Sequence, residues 1–524
     1  ATGRELAGFA ITEAVAGSNP RAIATTALPD SQGWRLNGQK SWIGHGSWAG
    51  TINVFAQMLD ANHQPIGISG FVVRQGTFGL RQGPEALTMG MRGMVQNSIY
   101  LEDVPVTASN LLGEQGSGIE VAQDAMMFGR LGLGVMSLGA MKRCAQLMLR
   151  YSQRRLISTG RLLDNSVTLV RLNNLTLAIT ALETLVFTIA DLLDRGEYIP
   201  EEAYTACKTS GPEFLGEAAD QLVQLLGGRG YIETNIAPQI LRDARLLRIF
   251  EGPTETLNMF LGSRAINKGE ELHKFLSEGL GMTEVAQRLK ATTEKINQHI
   301  KSSGSLFSNQ NKAVSWIYFL TGELTTFAIL MATVKRAFDN NASEDLRHTL
   351  SWVELKFEQK LKSIISEITS TLVLENHDTL ITQIPDADTI TARIYHYGKA
   401  IGDLEQTLPG EDYELDDLLK RKTSKSESGT DTAIEIKNDE YTIKYREKFD
   451  AKSKNKNITY DATLIENLIK KTLAKKLNID VNYIKSQAKF VSYGIDSVMA
   501  VELIQDLENC LNKPLEATLL WNFP

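Results

Sequence analysis

The sequence Arg248-Ile249-Phe250-Glu251-Gly252-Pro253-Thr254-Glu255-Thr256 places one carboxylate between apolar residues and a Gly-Pro step. Proline is common at the first position of a helix, so the step predicts a helix that starts at Pro253. Because Ile249 and Phe250 precede Glu251, we expect its carboxylate to be partly desolvated. Desolvation raises a glutamate pKa from about 4.3 toward the range of a general base. The alternative is a structural glutamate in the first helical turn, stabilised by the helix dipole.

Two upstream segments accompany this glutamate: Gln-Leu-Leu-Gly-Gly-Arg-Gly-Tyr at Gln224–Tyr231 and Leu-Arg-Asp-Ala-Arg at Leu241–Arg245. Together they resemble, in order, the QxxGGxGY turn, the RDA segment and the Glu-Gly of acyl-CoA dehydrogenases. The resemblance implies that Glu251 removes the α-proton of an acyl thioester and that Gln224 and Gly228 bind the cofactor. Glu251 is followed here by Gly-Pro-Thr, where many members of the family have Gly-Thr.

Two N-terminal segments resemble flavin-binding motifs of the same family. Ile11–Asn19 (Ile-Thr-Glu-Ala-Val-Ala-Gly-Ser-Asn) is similar to its TEPxAGSD loop, and Leu36–Gly44 is similar to its NGxKxWIT strand. The resemblance implies the following contacts: the flavin edge of FAD at Ile11 and Thr12, the flavin face at Trp42, and the pantetheine or nucleotide end of the thioester at Ser18.

Departures from these motifs leave alternatives open. Ala14 stands where the family has proline, and Gly44 where a threonine usually contacts the flavin. Trp42 taken alone fits an ordinary core aromatic on a strand.

The order of patterns predicts a multidomain protein. Short alternating segments separated by turn residues predict strands at 6–11, 22–27, 51–56, 70–74 and 97–101, hence a small β-domain. Helical periodicity over 119–155, 167–194 and 201–226 predicts an all-α helical bundle. The predicted domains are a β-domain at 1–112, a helical domain at 113–268, a helical extension at 269–408, a linker at 409–457 and a four-helix carrier domain at 458–524.

Two arginines of the helical domain are further candidates by resemblance. Arg130 is expected to contact the substrate. Arg155, four residues after Tyr151, matches a position that reaches the flavin of a neighbouring subunit, although Gly160 follows one residue late. The resemblance therefore implies a homo-oligomer.

Composition limits the function classes. The 524 residues carry a net charge of −7 and only three cysteines, which lie far apart. This argues against nucleic acid as a partner and against a disulfide framework or metal site, and a cytoplasmic location is expected. Because the chain starts at Ala1, before which the family has a further helical domain, we expect a piece of a longer protein that binds its cofactor poorly alone.

The segment Ala313–Val334 is apolar enough to raise the question of a membrane span. Glu323 interrupts it, and a carboxylate in lipid would cost about 2.5 kcal/mol or more. A buried helix of a bundle explains the segment at least as well.

Residues 409–457 are rich in charged residues and serine and predict a flexible linker. Beyond it, Tyr493-Gly494-Ile495-Asp496-Ser497 stands between two amphipathic helical patterns and resembles the GxDS motif of acyl and peptidyl carrier proteins. The resemblance implies that Ser497 carries 4′-phosphopantetheine. A simple helix cap is the alternative.

These resemblances predict FAD-dependent α,β-dehydrogenation of an acyl thioester. Three further expectations concern the substrate, the electron acceptor and the partner proteins. The substrate is expected on the carrier, the electron acceptor is an electron-transfer flavoprotein or oxygen, and a phosphopantetheinyl transferase and an upstream acyl-activating ligase are partners. The alternatives are a redox-inert scaffold that docks the carrier, and an acyl-thioester oxidase.

Overall fold

The computed structural model describes residues 5–302, 310–373, 387–391, 394 and 470. Ala1–Glu427 form one compact unit and Ser428–Pro524 another. The predicted linker and the carrier motif with Ser497 lie outside the described residues. The boundaries of the five predicted domains stay predictions.

The N-terminal part of the first unit is a β-domain built on one eight-stranded sheet. Its strands are β1 (Ala7–Ala10), β2 (Thr26–Asp30), β3 (Gly33–Gly44), β4 (Thr51–Leu59), β5 (Pro65–Arg74), β6 (Leu80–Glu85), β7 (Gln96–Val106) and β8 (Leu111–Leu112). The strand order is β6-β7-β3-β2-β4-β5-β8, with β1 parallel to β4. Aliphatic side chains of alternate residues, among them Ile52, Val54 and Ile99, form its core.

The strand predicted at 22–27 is wrong in position. Pro20–Ala22 form a short 3₁₀ turn, and β2 begins only at Thr26. The long strand β3 contains the Trp42 motif and lies inside the sheet. The alternation of apolar and polar residues did not predict it as a strand.

The C-terminal part of this unit is helical. Its elements are α1 (Gly118–Arg154), a hairpin of β9 (Leu156–Ile157) and β10 (Gly160–Arg161), α2 (Ser166–Asp194), α3 (Glu201–Leu226), α4 (Gly228–Tyr231), α5 (Ile236–Leu247), α6 (Thr254–Asn267), α7 (Glu270–Lys274), α8 (Thr283–Ser302), α9 (Gln310–Asn340) and α10 (Glu344–Val373). The three long helices predicted from the 3.6-residue period agree with α1, α2 and α3 within one residue at each end.

One loop of the β-domain is fixed to the helical domain. The backbone N–H of Met91 donates to Asp243 Oδ1 at 2.6 Å. A Cβ on Gly90 would lie 2.5 Å from the backbone of Arg242, so glycine permits the close approach. The RDA segment of α5 thereby positions the loop that leads into β7.

The apolar helix α9 packs inside the helical bundle. Among the described residues two helices are long and apolar enough to cross a membrane, α2 and the Val314–Asn340 part of α9, and 78% of the apolar window in α9 is buried by protein. It crosses α6 at two glycines: a Cβ on Gly322 would lie 1.9 Å from the Asn258 carbonyl oxygen, and one on Gly262 would lie 1.9 Å from the Tyr318 carbonyl oxygen. The buried bundle helix accounts for the segment.

Gly322→Ala should therefore lower the free energy of unfolding of the helical unit. A methyl group cannot fit at the crossing unless α6 and α9 separate, and overpacking of this kind costs roughly 1–3 kcal/mol. Thermal unfolding followed by circular dichroism measures the loss. Gly139→Ala is the matched control, because nothing lies within 4 Å of its Cβ position and alanine favours the helix there. Equal stability of the two variants would contradict the tight crossing.

Candidate active site

Glu251 lies on a tight turn between α5 and α6. Its φ is 57°, in the left-handed region, and the φ of Gly252 is 92°. The Thr254 N–H closes the turn by donating to the Arg248 carbonyl oxygen at 3.1 Å. Pro253 is the N-cap residue and α6 begins at Thr254, one residue later than predicted. Glu251 thus precedes the helix, and the alternative of a glutamate in the first helical turn is wrong.

The carboxylate of Glu251 points at α1. A Cβ on Gly129 would lie 3.2 Å from its Cδ, so the glycine leaves room for it. Glu251 Oε2 is buried and has no hydrogen-bond partner among the described residues. Burial raises the pKa of Glu251, and the positive charges of Arg130 and Lys208 offset only part of this rise. The predicted desolvation of this carboxylate is confirmed in direction.

Arg130, the predicted substrate contact, is almost fully buried. Its Nη1 donates to Glu201 Oε1 at 2.8 Å and to Thr205 Oγ1 at 3.3 Å. The structure therefore places this guanidinium beside Glu251 as a paired internal charge. A direct contact with substrate stays a prediction.

Lys208 of α3 is a third member of this cluster, and no motif in the sequence indicated it. Its side chain is fully buried, and its Nζ donates to the carbonyl oxygens of Arg248 and Gly252. These two carbonyls flank Glu251. A lysine on the buried face of a helix was the available signal, because lysine is rarely buried without a partner.

A buried ion pair joins the two N-terminal motifs. Lys40 Nζ donates to Glu13 Oε1 at 2.9 Å and to the Ile11 carbonyl oxygen at 3.1 Å. Glu13 also accepts from the N–H groups of Ala24 and Thr25 and from the Thr25 hydroxyl. The next residue of β3 contributes as well, since the Ser41 N–H donates to the Thr12 carbonyl oxygen at 3.0 Å. Ile11 and Thr12 are thereby held against β3.

Trp42 follows directly on Ser41 in β3, and its side chain projects from the sheet. Its φ is 54°, at a register shift between β3 and β7 that lies between Lys40 and Ile43. Such a bulge redirects a side chain, and 60% of Trp42 is exposed while Ser41 and Ile43 are buried. The alternative of an ordinary core aromatic is wrong.

The other predicted site residues lie on exposed turns and helix ends. Ser18 is exposed in the loop after β1, and Arg155 is exposed at the end of α1. Gln224 and Gly228 are exposed on either side of Gly227, whose φ of 59° ends α3. Nothing lies within 4 Å of a Cβ built on Gly227 or Gly228, so their backbone is open to a ligand. The roles of these residues stay predictions.

Comparison with known proteins identifies the domains that this chain resembles. Residues 8–104 match the acyl-CoA dehydrogenase middle domain and residues 116–266 match the acyl-CoA dehydrogenase C-terminal domain. Residues 467–524 match the phosphopantetheine attachment site. Two consecutive segments of the chain thus match the two acyl-CoA dehydrogenase domains in order, and a third segment matches a phosphopantetheine attachment site.

Individual relatives agree with this assignment. The chain is 28% identical over 305 residues to the human mitochondrial very long-chain specific acyl-CoA dehydrogenase, covering 55% of this chain and 47% of that protein. It is 30% identical over 264 residues to the short-chain specific enzyme of Rattus norvegicus, covering 50% of this chain and 64% of that protein. The chain thus spans about half the length of the very long-chain relatives.

A solved structure shows the same fold. The acyl-CoA dehydrogenase from Bacillus anthracis, complexed with FAD, superimposes with a TM-score of 0.59 at 22% identity, over 71% of this chain and 70% of that chain. The predicted fold of a β-domain followed by a helical bundle is confirmed.

Proposed function

We propose that this protein is an FAD-dependent dehydrogenase that introduces an α,β double bond into an acyl thioester. The observation that carries the proposal is the buried carboxylate of Glu251. Its Oε2 has no hydrogen-bond partner among the described residues, and burial raises the pKa of the carboxyl group. A general base works best with a pKa near the working pH and a lone pair that no other hydrogen bond occupies. The pKa of Glu251 is shifted in this direction, its Oε2 accepts no such bond from the described residues, and the residue also matches the base of the family.

The residues of this chain fit FAD. Trp42 offers an exposed indole on a backbone that the bulge strains, and aromatic faces of this kind pack against a planar ring system. The buried Glu13–Lys40 pair fixes the backbone of Ile11 and Thr12 beside it, where N–H groups would hold the flavin edge. The Gly227-Gly228 turn leaves room for the close approach of a pyrophosphate, because nothing lies within 4 Å of either Cβ position.

The reaction removes one proton and one hydride from the acyl chain. Bound FAD would supply the acceptor for the hydride that leaves the β-carbon. Glu251 takes the α-proton through its free Oε2, and the electron pair left behind forms the new double bond of a trans-2-enoyl thioester. Arg130 and Lys208 place two positive charges beside the base, which stabilise its carboxylate form before the proton arrives.

The test is reduction of the flavin in the complete protein. An acyl thioester added without oxygen should bleach the visible flavin absorption and yield the enoyl product. A yellow protein that no acyl thioester bleaches would contradict dehydrogenation, and a protein that binds no FAD would favour the redox-inert scaffold.

We further propose that the acyl chain is carried on the phosphopantetheine of Ser497. Support comes from the match of residues 467–524 to a phosphopantetheine attachment site in the same chain as the dehydrogenase domains. A flexible tether would hold the acyl group at a concentration on the order of millimolar. A phosphopantetheinyl transferase and an acyl-activating ligase are the partners that such a carrier requires.

Intact-protein mass spectrometry decides between carrier-bound and free substrates. Ser497 is loaded with a saturated acyl-pantetheine, the protein is incubated with FAD and an artificial electron acceptor, and loss of two hydrogens on the carrier is expected. Ser497→Ala supplied with the same acyl-CoA is the control. Rapid oxidation of the acyl-CoA without change on the carrier would contradict the carrier-bound substrate.

The release of peroxide during turnover distinguishes the two electron acceptors, oxygen and an electron-transfer flavoprotein. Peroxide release during turnover in air would identify an oxidase. Turnover that needs an electron-transfer flavoprotein and releases no peroxide would identify a dehydrogenase. For location we propose the cytoplasm, in keeping with the free thiols of Cys144 and Cys207.

A further inference from the structure

Lys208 is a charged side chain whose two hydrogen bonds lie on either side of Glu251 along the chain. Its Nζ donates to the Arg248 carbonyl oxygen at 3.2 Å and to the Gly252 carbonyl oxygen at 2.5 Å. None of its surface is exposed. An ammonium group buried in this way is costly unless its hydrogen bonds are satisfied, so the contacts must persist for the folded state to be stable.

The segment between those carbonyls is strained. A left-handed φ of 57° at Glu251 is uncommon for a residue with a side chain and is unfavourable unless neighbouring groups hold it. One backbone bond, from the Thr254 N–H to the same Arg248 carbonyl, closes the turn. Lys208 adds the contact to Gly252, immediately after Glu251, and anchors the turn to α3.

We propose that Lys208 is a positioning residue, whose ammonium group clamps the Arg248 and Gly252 carbonyls and so holds the Glu251 carboxylate against Gly129 of α1. This rests on the proposed role of Glu251 as the base. A base displaced by about 1 Å can lose on the order of 100-fold in rate, because proton transfer depends steeply on geometry. The clamp would therefore act on the rate at saturating substrate.

Lys208 also acts on Glu251 through its charge. Its positive charge lowers the pKa of Glu251, against the larger effect of burial. Burial, and then the charge of Arg130, lower the pKa of Lys208 itself to about 8, while Glu213, Glu251 and Glu255 act in the opposite direction. The lysine is thus charged at neutral pH and loses its proton just above it.

Two substitutions separate the clamp from the charge. Lys208→Met removes both, whereas Lys208→Gln removes the charge but keeps an amide that can donate to a flanking carbonyl. In the complete, flavin-loaded protein we expect Lys208→Met to slow flavin reduction at saturating thioester by about 10- to 100-fold and Lys208→Gln to slow it less. In both, the acidic limb of the pH–rate profile should move to higher pH, since the charge that lowers the pKa of Glu251 is gone. Lys142→Met, at an exposed lysine of α1, is the control and should change neither property.

Amide hydrogen exchange of residues 249–254 tests the clamp without any chemistry. We expect faster exchange there in Lys208→Met than in the wild type, with α1 unchanged. Lys208→Gln, the milder substitution, is measured in the same way and should show a smaller increase, which gives the result even where Lys208→Met does not fold.

Failure of the role proposed for Lys208 and failure of the proposed dehydrogenase function give different results. Exchange of residues 249–254 that is unchanged in a folded Lys208 variant, or a folded Lys208→Met protein with wild-type rate and pH profile, would overturn the role of Lys208. A wild-type protein that no acyl thioester reduces would overturn the proposed function and leave the exchange result to decide on the clamp.

Discussion

Glu251→Gln is expected to lower the rate of flavin reduction by an acyl thioester by on the order of 10²- to 10⁴-fold. Glutamine has the same shape and fits the same space against Gly129, but its amide cannot take a proton from carbon. Binding of FAD and of the thioester should persist, because neither depends on this proton transfer. Stopped-flow absorption of the flavin under anaerobic conditions measures the rate, and flavin content after gel filtration reports binding.

The pH dependence gives this prediction a second, independent readout. The base must be ionised to accept the α-proton, and burial raises the pKa of Glu251 above its ordinary value of 4.5. The wild-type rate should therefore rise with pH through that elevated pKa and then level off. The residual rate of Glu251→Gln should lack this acidic limb.

Glu255→Gln is the matched control for Glu251→Gln. Glu255 lies in the first turn of α6, only four residues further along, but its side chain is exposed. The same chemical change should leave the rate close to that of the wild type. Comparable losses in both variants would mean that Glu251 acts through the general electrostatics of the region and is not the base.

The desolvation of Glu251 could be predicted from the sequence because its signal is local. The order of the three C-terminal motifs is visible in the chain itself, and the apolar residues Ile249 and Phe250 beside Glu251 predicted its desolvation. The long helices could also be predicted from the sequence, since a 3.6-residue period over many turns leaves little ambiguity about their extent.

The supporting residues could not be found in this way, because their partners are distant in sequence. Lys208 contacts the Glu251 turn from another helix, and Glu13 meets Lys40 across the sheet. The direction of Trp42 depends on a bulge, and a bulge arises from the register of β3 with β7, which local alternation does not encode. A charged residue on a predicted buried face is the one signal that would have drawn attention to Lys208.

The buried pair of Glu13 and Lys40 should dominate the stability of the β-domain. Burial alone would raise the pKa of Glu13, but the charge of Lys40 and the hydrogen bonds from Thr25 and Ala24 together outweigh it, and the pKa lies below its ordinary value. Burial lowers the pKa of Lys40, and Glu13 offsets part of this effect. The ammonium of Lys40, which has no exposed surface, therefore depends on Glu13 as its counter-ion.

Glu13→Gln should accordingly lower the free energy of unfolding by about 3–5 kcal/mol, since it leaves a buried charge without a partner. Urea unfolding of the complete protein, followed by tryptophan fluorescence, measures this loss. Glu102→Gln is the matched control: Glu102 accepts a hydrogen bond from Arg81 at 2.8 Å, but 62% of its side chain is exposed. Because water screens that pair, its loss should cost less than about 1 kcal/mol.

A double variant and the pH dependence distinguish loss of the ion pair from general damage. Glu13→Gln combined with Lys40→Met removes both charges and should be more stable than Glu13→Gln alone, because no unpaired charge remains in the core. In the wild type, the depressed pKa of Glu13 stabilises the fold above its ordinary value of 4.5 and this contribution is lost as pH falls through the folded-state value. Glu13→Gln should therefore lose stability less steeply in acid than the wild type. If the double variant is no more stable than Glu13→Gln, the pair is not the source of the stability, and the positions of Ile11, Thr12 and Trp42 must depend on the packing of β3 instead.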